Sequence, residues 1–589
     1  MLSQDRTIMA NRLGGGFLGL MAGVAAWLLL EILPEHLREA QRLLLFLGSF
    51  GAVFFVAALA LNGPLALHRA LLSAAVQAPV VSGLVVWGSL RFDTVSAYMD
   101  KPHAPVAFLI LLFLPLPFAA AAQRPGVGWT HYPTLFHASW MIVVRFAAAW
   151  LFVGLVWAVV FLSNALLSLV EIDVIETLIE QEPVPFLLSG VTLGLALSVV
   201  NELSDYVSPY LILRLLRLLL PAVLVVVAVF LLALPLRGLS HLFGAFSAAA
   251  TLLTMAVGAV TLISAAVDSG AERQVQASWM CFACKGLALL VPALGVLAGV
   301  AVWLRVAQYG LTPDRVVAGL CGVIMLAYGV LYGVAVPCRD WGVRIRRANT
   351  RLALVVLALA AAWFTPALDV YRLSAENQVA RLEAGKASAE EIDLWAIGRE
   401  WGRAGAEALE RIAGLRDHPE AGRLAERLAV LGTAESRYAF DREGEGNDVL
   451  ALAAAVRGQL QVRPEGAVLP EGLLRDARLW ELEQILQGCD RRTPLGNPGC
   501  VLLLADLTGE RPGDEAVLVA QSDRGAPLMR AYLRDAEGYS MRAPGFLDDG
   551  LAFDQPGALI DAILTGAFRL LPLTLQALEV EGGRIYFGP

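Results

Sequence analysis

Eleven apolar stretches, each close to the roughly 20 residues that carry a helix through a hydrocarbon layer, crowd the first 370 residues of this 589-residue chain. They lie at about 13–33, 43–62, 69–90, 104–121, 140–165, 184–201, 209–235, 248–267, 286–304, 317–338 and 350–366. No single soluble core covers so many uninterrupted apolar faces. The first stretch reads as a span rather than a cleavable leader. Its apolar run is long, no small-residue cleavage pattern follows it, and further spans come at once.

Charge divides the chain. Residues 1–370 hold 21 Lys and Arg against 18 Asp and Glu, while residues 371–589 hold 24 against 35. With 57% hydrophobic residues, 17% charged residues and a net charge of −8, a disordered chain, a nucleic-acid binder and a soluble enzyme are excluded. The expected fold is an α-helical polytopic membrane bundle of about 11 transmembrane helices with a C-terminal extracytoplasmic α+β domain. Its expected parts are a transmembrane helical domain (1–370), a helical extracytoplasmic segment (371–490) and a small α+β module (491–589). In the last part, residues 501–507, 515–521 and 527–535 read as strands, followed by a helix near 556–567 and a strand pair around 572–587.

Orientation follows from the basic residues of short loops. With a cytoplasmic N-terminus, the inner segments collect 13 of them, the densest cluster being Arg339 to Arg351, and the outer loops collect seven. The acidic loop at 171–183 then falls outside, and an odd number of spans places residues 371–589 in the periplasm of a bacterium. An oxidising compartment permits a disulfide between Cys489 and Cys500, which flank the turn-rich DRRTPLGNPG.

Ionisable groups inside spans are the default pointers to function. No Asp or Glu falls near the middle of a span, which argues against a proton- or sodium-coupled carrier. Arg145 lies one turn inside the fifth span and reads as snorkelling to the cytoplasmic face. Arg214 and Arg217 are placed to pair with Glu202 and Asp205. Gly15, Gly19 and Gly23 form a small-residue stripe, read as packing within the bundle, with a homo-oligomer seam as the alternative. The CxxC of Cys281 and Cys284 beside Lys285 reads as structural. Between two strands, Asp506, Glu510, Asp514 and Glu515 offer oxygen ligands; an acidic turn is the plainer reading and calcium the sharper one. No other cofactor is indicated, and no catalytic constellation is visible.

Three segments carry a resemblance. WTHYPTLFHASWMIVVRFAAAWLFVGLVWAVVFL (129–162), RVAQYGLTPDR (305–315) and YRLSAENQVARLEAGKASAEEIDL (371–394) resemble the bacterial membrane proteins grouped as domain of unknown function 4153. The resemblance implies a polytopic inner-membrane protein with an extracytoplasmic C-terminal region, and no reaction. Its members often show an Asp/Asn/Gly-rich acidic turn where this chain has Thr508 and Arg511, a departure that weakens the calcium reading.

The 305–315 loop is the best candidate element, for ligand binding or domain docking. Arg305 ends a helix, Tyr309 suits headgroup level, Gly310 permits a tight turn, and Thr312 with Pro313 starts the next helix. Arg305 and Arg315 are placed to clamp an anionic headgroup, or to pin the C-terminal domain. Three functions follow. The leading one is an inner-membrane scaffold or sensor that presents its acidic domain to a periplasmic or membrane protein partner. The second is a transporter or lipid translocator, and the third a membrane-embedded transferase using lipid-linked donors. Membrane lipids are partners in each.

Overall fold

The computed structural model describes residues 2–202, 210–237, 248–444, 446–470, 472–474, 477–505, 515–522, 527–535, 538–543, 556–569, 577–580 and 583–586. Residues 1–425 and 426–589 form two compact units.

The first unit is helical. In chain order it contains α1 (Leu2–Trp27), α2 (Leu33–His36), α3 (Gln41–Leu61), α4 (Leu67–Ser89), α5 (Val95–Met99), α6 (His103–Phe113), α7 (Pro115–Ala122) and α8 (Tyr132–Ser168). There follow α9 (Val174–Ile179), α10 (Pro183–Glu202), α11 (Tyr210–Arg237), α12 (Ala248–Val267), α13 (Ser278–Tyr309) and α14 (Pro313–Ala335). Then come α15 (Trp341–Trp363), α16 (Val370–Glu383), α17 (Gly402–Ala413) and α18 (Ala421–Thr433), the last crossing the unit boundary.

Among the described residues, ten helical segments are long and apolar enough to cross a membrane. They coincide with the first ten expected spans. The eleventh expected span falls in α15, which is not among the ten. Arg344, Arg346, Arg347 and Arg351 occupy its first half. Its arginine-free run of 12 residues, Leu352–Trp363, is about 18 Å long.

Two sequence signals have direct structural outcomes. The glycine stripe of α1 packs on α10. A Cβ on Gly19 would lie 2.1 Å from the Gly190 carbonyl oxygen, and one on Gly194 would lie 2.2 Å from that of Gly15. The stripe therefore builds a backbone-close helix pair inside the bundle, as small residues allow. Pro115, lacking an N–H, breaks one helix into α6 and α7 and orphans the Leu111 carbonyl. The Gln77 amide of α4 donates to Leu111 O at 2.9 Å and Leu112 O at 2.8 Å.

The second unit contains α19 (Arg437–Gly444), α20 (Gly446–Gln459), β1 (Gln461–Arg463), α21 (Leu479–Asp490), β2 (Cys500–Ala505), β3 (Glu515–Ala520), β4 (Leu528–Asp535), β5 (Gly538–Ala543) and α22 (Pro556–Thr565). A separate hairpin, β6 (Ala577–Val580) with β7 (Gly583–Tyr586), follows. The sheet order is β1-β2-β3-β4-β5, with β1 parallel to β2 and the remaining pairs antiparallel. One sheet face packs Leu502, Ala516, Leu518 and Tyr532 against α20 and α21, and the other packs Val501 and Val519 against Ile560 and Ile563 of α22. Both faces are covered, so β2 and β3 read as nearly continuous apolar runs rather than alternating ones.

Candidate functional site

The 305–315 loop owes its shape to its own residues and its position to α16. Gly310 ends α13 at φ +77°, the left-handed region that favours glycine. A Cβ there would also meet Arg381 Cδ at 2.6 Å and Gln378 Nε2 at 2.7 Å. Thr312 caps α14 by accepting from the Arg315 N–H at 3.4 Å, with Pro313 in the first turn. Asp314 complements the helix N-terminus and pairs with His103 Nε2 at 3.0 Å.

Three side chains of α16 then close the loop. Asn377 Oδ1 accepts from the Leu311 N–H at 2.8 Å. Gln378 Nε2 donates to the carbonyls of Tyr309 at 3.0 Å and Leu311 at 2.9 Å. Arg381 donates to Ala307 O at 3.2 Å and Gln308 O at 2.8 Å. The last carbonyls of a helix have no partner within it; here another helix supplies the donors. Two of the segments that carry the family resemblance thus pack on one another.

The sequence-predicted arginines lie on either side of Tyr309 in the chain and both approach its ring. Arg305 and Arg315 stand at 5.8 and 5.5 Å from the centroid of the Tyr309 ring, and Arg315 Nη1 donates to its own loop at Gly310 O, 2.7 Å. The loop is docked through its backbone. Asn377, Gln378 and Arg381 were not foreseen. Their sequence signal is polar residues on helix positions whose neighbours Ser374 and Val379 are buried.

A second clasp holds the same stretch. Arg91, after α4, donates to Thr365 O at 2.6 Å and Leu368 O at 3.3 Å, and lies 3.4 Å from Asp369 Oδ2. Its own carbonyl accepts from the Arg403 N–H at 2.9 Å. Gly402, at φ +58°, comes so near that a Cβ would lie 2.5 Å from Arg91 O. Phe92 meets Tyr371 edge-on at 5.2 Å. Burial pushes the Tyr98 and Tyr371 phenols above the ordinary tyrosine range, so both stay neutral.

The opposite face of the bundle is also tied by arginines. Arg145 does not snorkel. It is 2% exposed and donates to Ala60 O (3.3 Å), Asn62 O (2.8 Å) and Leu197 O (3.4 Å), topping the negative pole of α3. Arg217 caps α12 through Ala265 O at 2.9 Å and pairs with buried Asp268, which sits at φ +52° just past that helix. Arg346 reaches Val267 O of the same helix end at 2.7 Å. The expected pairing of Arg214 and Arg217 with Glu202 does not form. Glu202 pairs with Arg12 at 2.6 Å, Arg214 bonds Tyr210 Oη at 2.9 Å, and Asp205 lies outside the described residues. Asn349 joins Tyr332, Tyr132 and Ser264 at 2.5, 3.1 and 3.1 Å, tying α8, α12, α14 and α15 together.

In the second unit Cys489 and Cys500 are disulfide-bonded. The loop that they close folds over Asp561 of α22. Thr493 Oγ1, Asn497 Nδ2 and the Leu495 N–H donate to its carboxylate at 2.6, 2.8 and 3.0 Å. Burial alone would raise this carboxyl, but the three donors outweigh it and hold it below the usual carboxylate range. Buried Glu481 pairs with Arg530 at 2.6 Å, and burial beside it pushes the Tyr532 phenol up to about 12. Of the calcium candidates, Asp506, Glu510 and Asp514 lie outside the described residues, and Glu515 is buried at the start of β3.

Two apolar grooves open on the first unit. One, of about 300 Å³, lies among α3, α4, α5 and α6 beside Tyr98. The other, of about 580 Å³, lies among α4, α6, α7 and α15. Comparison with protein-family models, with curated proteins and with solved structures finds no match for this chain.

Proposed function

We propose that this chain is a scaffold or sensor of the bacterial inner membrane, an eleven-helix bundle that presents its acidic C-terminal region to a periplasmic or membrane protein partner. The observation that carries the reading is the double clasp. Residues 364–403 are fastened to the loops at 90–93 and 307–311 by backbone-directed bonds from Arg91, Asn377, Gln378 and Arg381. Such bonds fix a platform. On this reading α15 is the eleventh crossing, its arginines at the cytoplasmic surface and its apolar half in the membrane. That puts the clasp face outside, where the Cys489–Cys500 disulfide suits an oxidising compartment. Membership of the family with domain of unknown function 4153 belongs to the same proposal.

Native mass spectrometry of the full chain in a mild detergent tests it. Stoichiometric retention of a second polypeptide is the expected result. A single retained lipid species, lost in the Arg305→Ala/Arg315→Ala variant and with no polypeptide retained, would favour the lipid translocator or the lipid-linked transferase. The translocator is the second reading, favoured by the discontinuous helix that Pro115 breaks into α6 and α7.

A further inference from the structure

We infer that the groove beside α4 is a binding site for one anionic phospholipid, its acyl chain in the groove and its phosphate on Arg69 and Arg124. The groove follows α4 from Leu72 to Leu84, with Pro115 and Ala119 of α7 and Ala361 of α15 on its other walls. Twelve helical rises of about 1.5 Å, from Leu72 to Leu84, span about 18 Å, close to the ~15 Å depth of one hydrocarbon leaflet. The small walls at Pro115, Ala119 and Ala361 leave the volume that larger side chains would fill. A path for translocation has to serve both leaflets, whereas this groove matches one.

Its polar end supplies the headgroup chemistry. Gln123 Nε2 donates to Ser73 Oγ at 2.5 Å, and Ser73 Oγ donates to Arg69 O at 2.9 Å. These bonds bring the ends of α4 and α7 together, with Arg69 one helical turn before Ser73 and Arg124 next to Gln123, Ser73 and Gln123 both lining the groove. Both arginines are exposed, and neither makes an ion pair among the described residues. They differ in this from Arg12, Arg91 and Arg217, which pair with carboxylates. Trp129, exposed and 6.1 Å from Phe118 of α7 by ring centroids, stands at the same end. Tryptophan favours headgroup depth. Two unpaired cations at headgroup depth, above an apolar groove one leaflet deep, complement an anionic diacyl lipid.

The test is native mass spectrometry of the delipidated full chain with added dioleoyl-phosphatidylglycerol, and separately with dioleoyl-phosphatidylcholine, which has the same chains. The expected result is at least tenfold more phosphatidylglycerol adduct at equal concentration. Arg69→Gln/Arg124→Gln removes that preference without moving the melting temperature, because both side chains are exposed. Ala119→Trp, which fills the groove, removes adducts of both lipids. Should Ala119→Trp fail to fold, Val80→Trp on the exposed wall replaces it. Equal binding of the two lipids by the wild type, or an unchanged preference in the double Gln variant, overturns the proposal. The outcome is independent of the scaffold reading, which is read from a retained polypeptide and from arginines of the opposite face.

Discussion

The two compact units bury charge of opposite sign. Among the described residues, the buried charged side chains of the first unit are Arg145, Arg217 and Arg346 with a single acid, Asp268; those of the second are Glu481, Glu515 and Asp561. Helix ends explain the first set. Every helix leaves carbonyls without partners at its C-terminus, and in a packed bundle water does not reach them. A guanidinium with five donors is the side chain best shaped to serve several at once. A loop explains Asp561 in the second set. The loop between Cys489 and Cys500 turns its N–H, hydroxyl and amide donors inward, and a carboxylate collects them at Asp561. The division is one of local geometry rather than of unit. Where the second unit ends a helix, Arg463 caps it at Leu564 O, 3.0 Å.

The comparison can be broken in order of expected effect. Arg145→Leu removes the donor to the Ala60, Asn62 and Leu197 carbonyls and should cost about 3–5 kcal/mol, since a hydrogen bond to a charged group is worth about 1.5–3 kcal/mol. Its melting temperature in detergent is the readout, and a drop no larger than that of exposed Arg214→Leu would falsify the capping role. Cys489→Ser/Cys500→Ser should remove about 3 kcal/mol from the second unit by freeing a short loop. A reductant should lower wild-type urea stability equally and leave the variant unchanged. Gly310→Ala should cost about 2 kcal/mol, from a strained φ and a displaced Arg381. Faster proteolysis between residues 305 and 315 would report it, and wild-type protection there would remove the case for the latch.

Asp561→Asn is the mildest change, about 1–2 kcal/mol, because the amide keeps one acceptor oxygen. Its value lies in pH. The folded carboxyl is held below its ordinary value, so its stabilisation is present above the unfolded pKa of about 4 and is lost as pH falls through the lower folded pKa. Acid unfolding of the second unit should therefore flatten below pH 4 in the Asn variant. An unchanged acid limb would remove Asp561 from the account.

Periodic features were legible in the sequence. The ten apolar spans, the Gly15–Gly19–Gly23 stripe and the strands around 501, 515 and 527 repeat at spacings that a local window sees. So was the Cys489–Cys500 bridge, closed over a short turn-rich loop. The partners of single polar residues were not legible. Arg145 reads as snorkelling because its position near a span end is visible, while the carbonyls that it serves lie 85, 83 and 52 residues away. The 305–315 loop was singled out for Arg305 and Arg315, whereas the bonds that hold it to α16 run through its backbone. Side-chain bonds to a distant main chain have no sequence partner to recognise, since every residue offers the same carbonyl.

The latch also sets an order of assembly. Gln378 is made 69 residues after the Tyr309 carbonyl that it serves. At about 5–20 residues per second, the end of α13 waits roughly 3–14 seconds, longer if α16 must first be exported. A chain halted before residue 377 would carry the whole α13–α14 hairpin with its connecting loop still open. The hairpin is thus completed from downstream, by residues made after both of its helices.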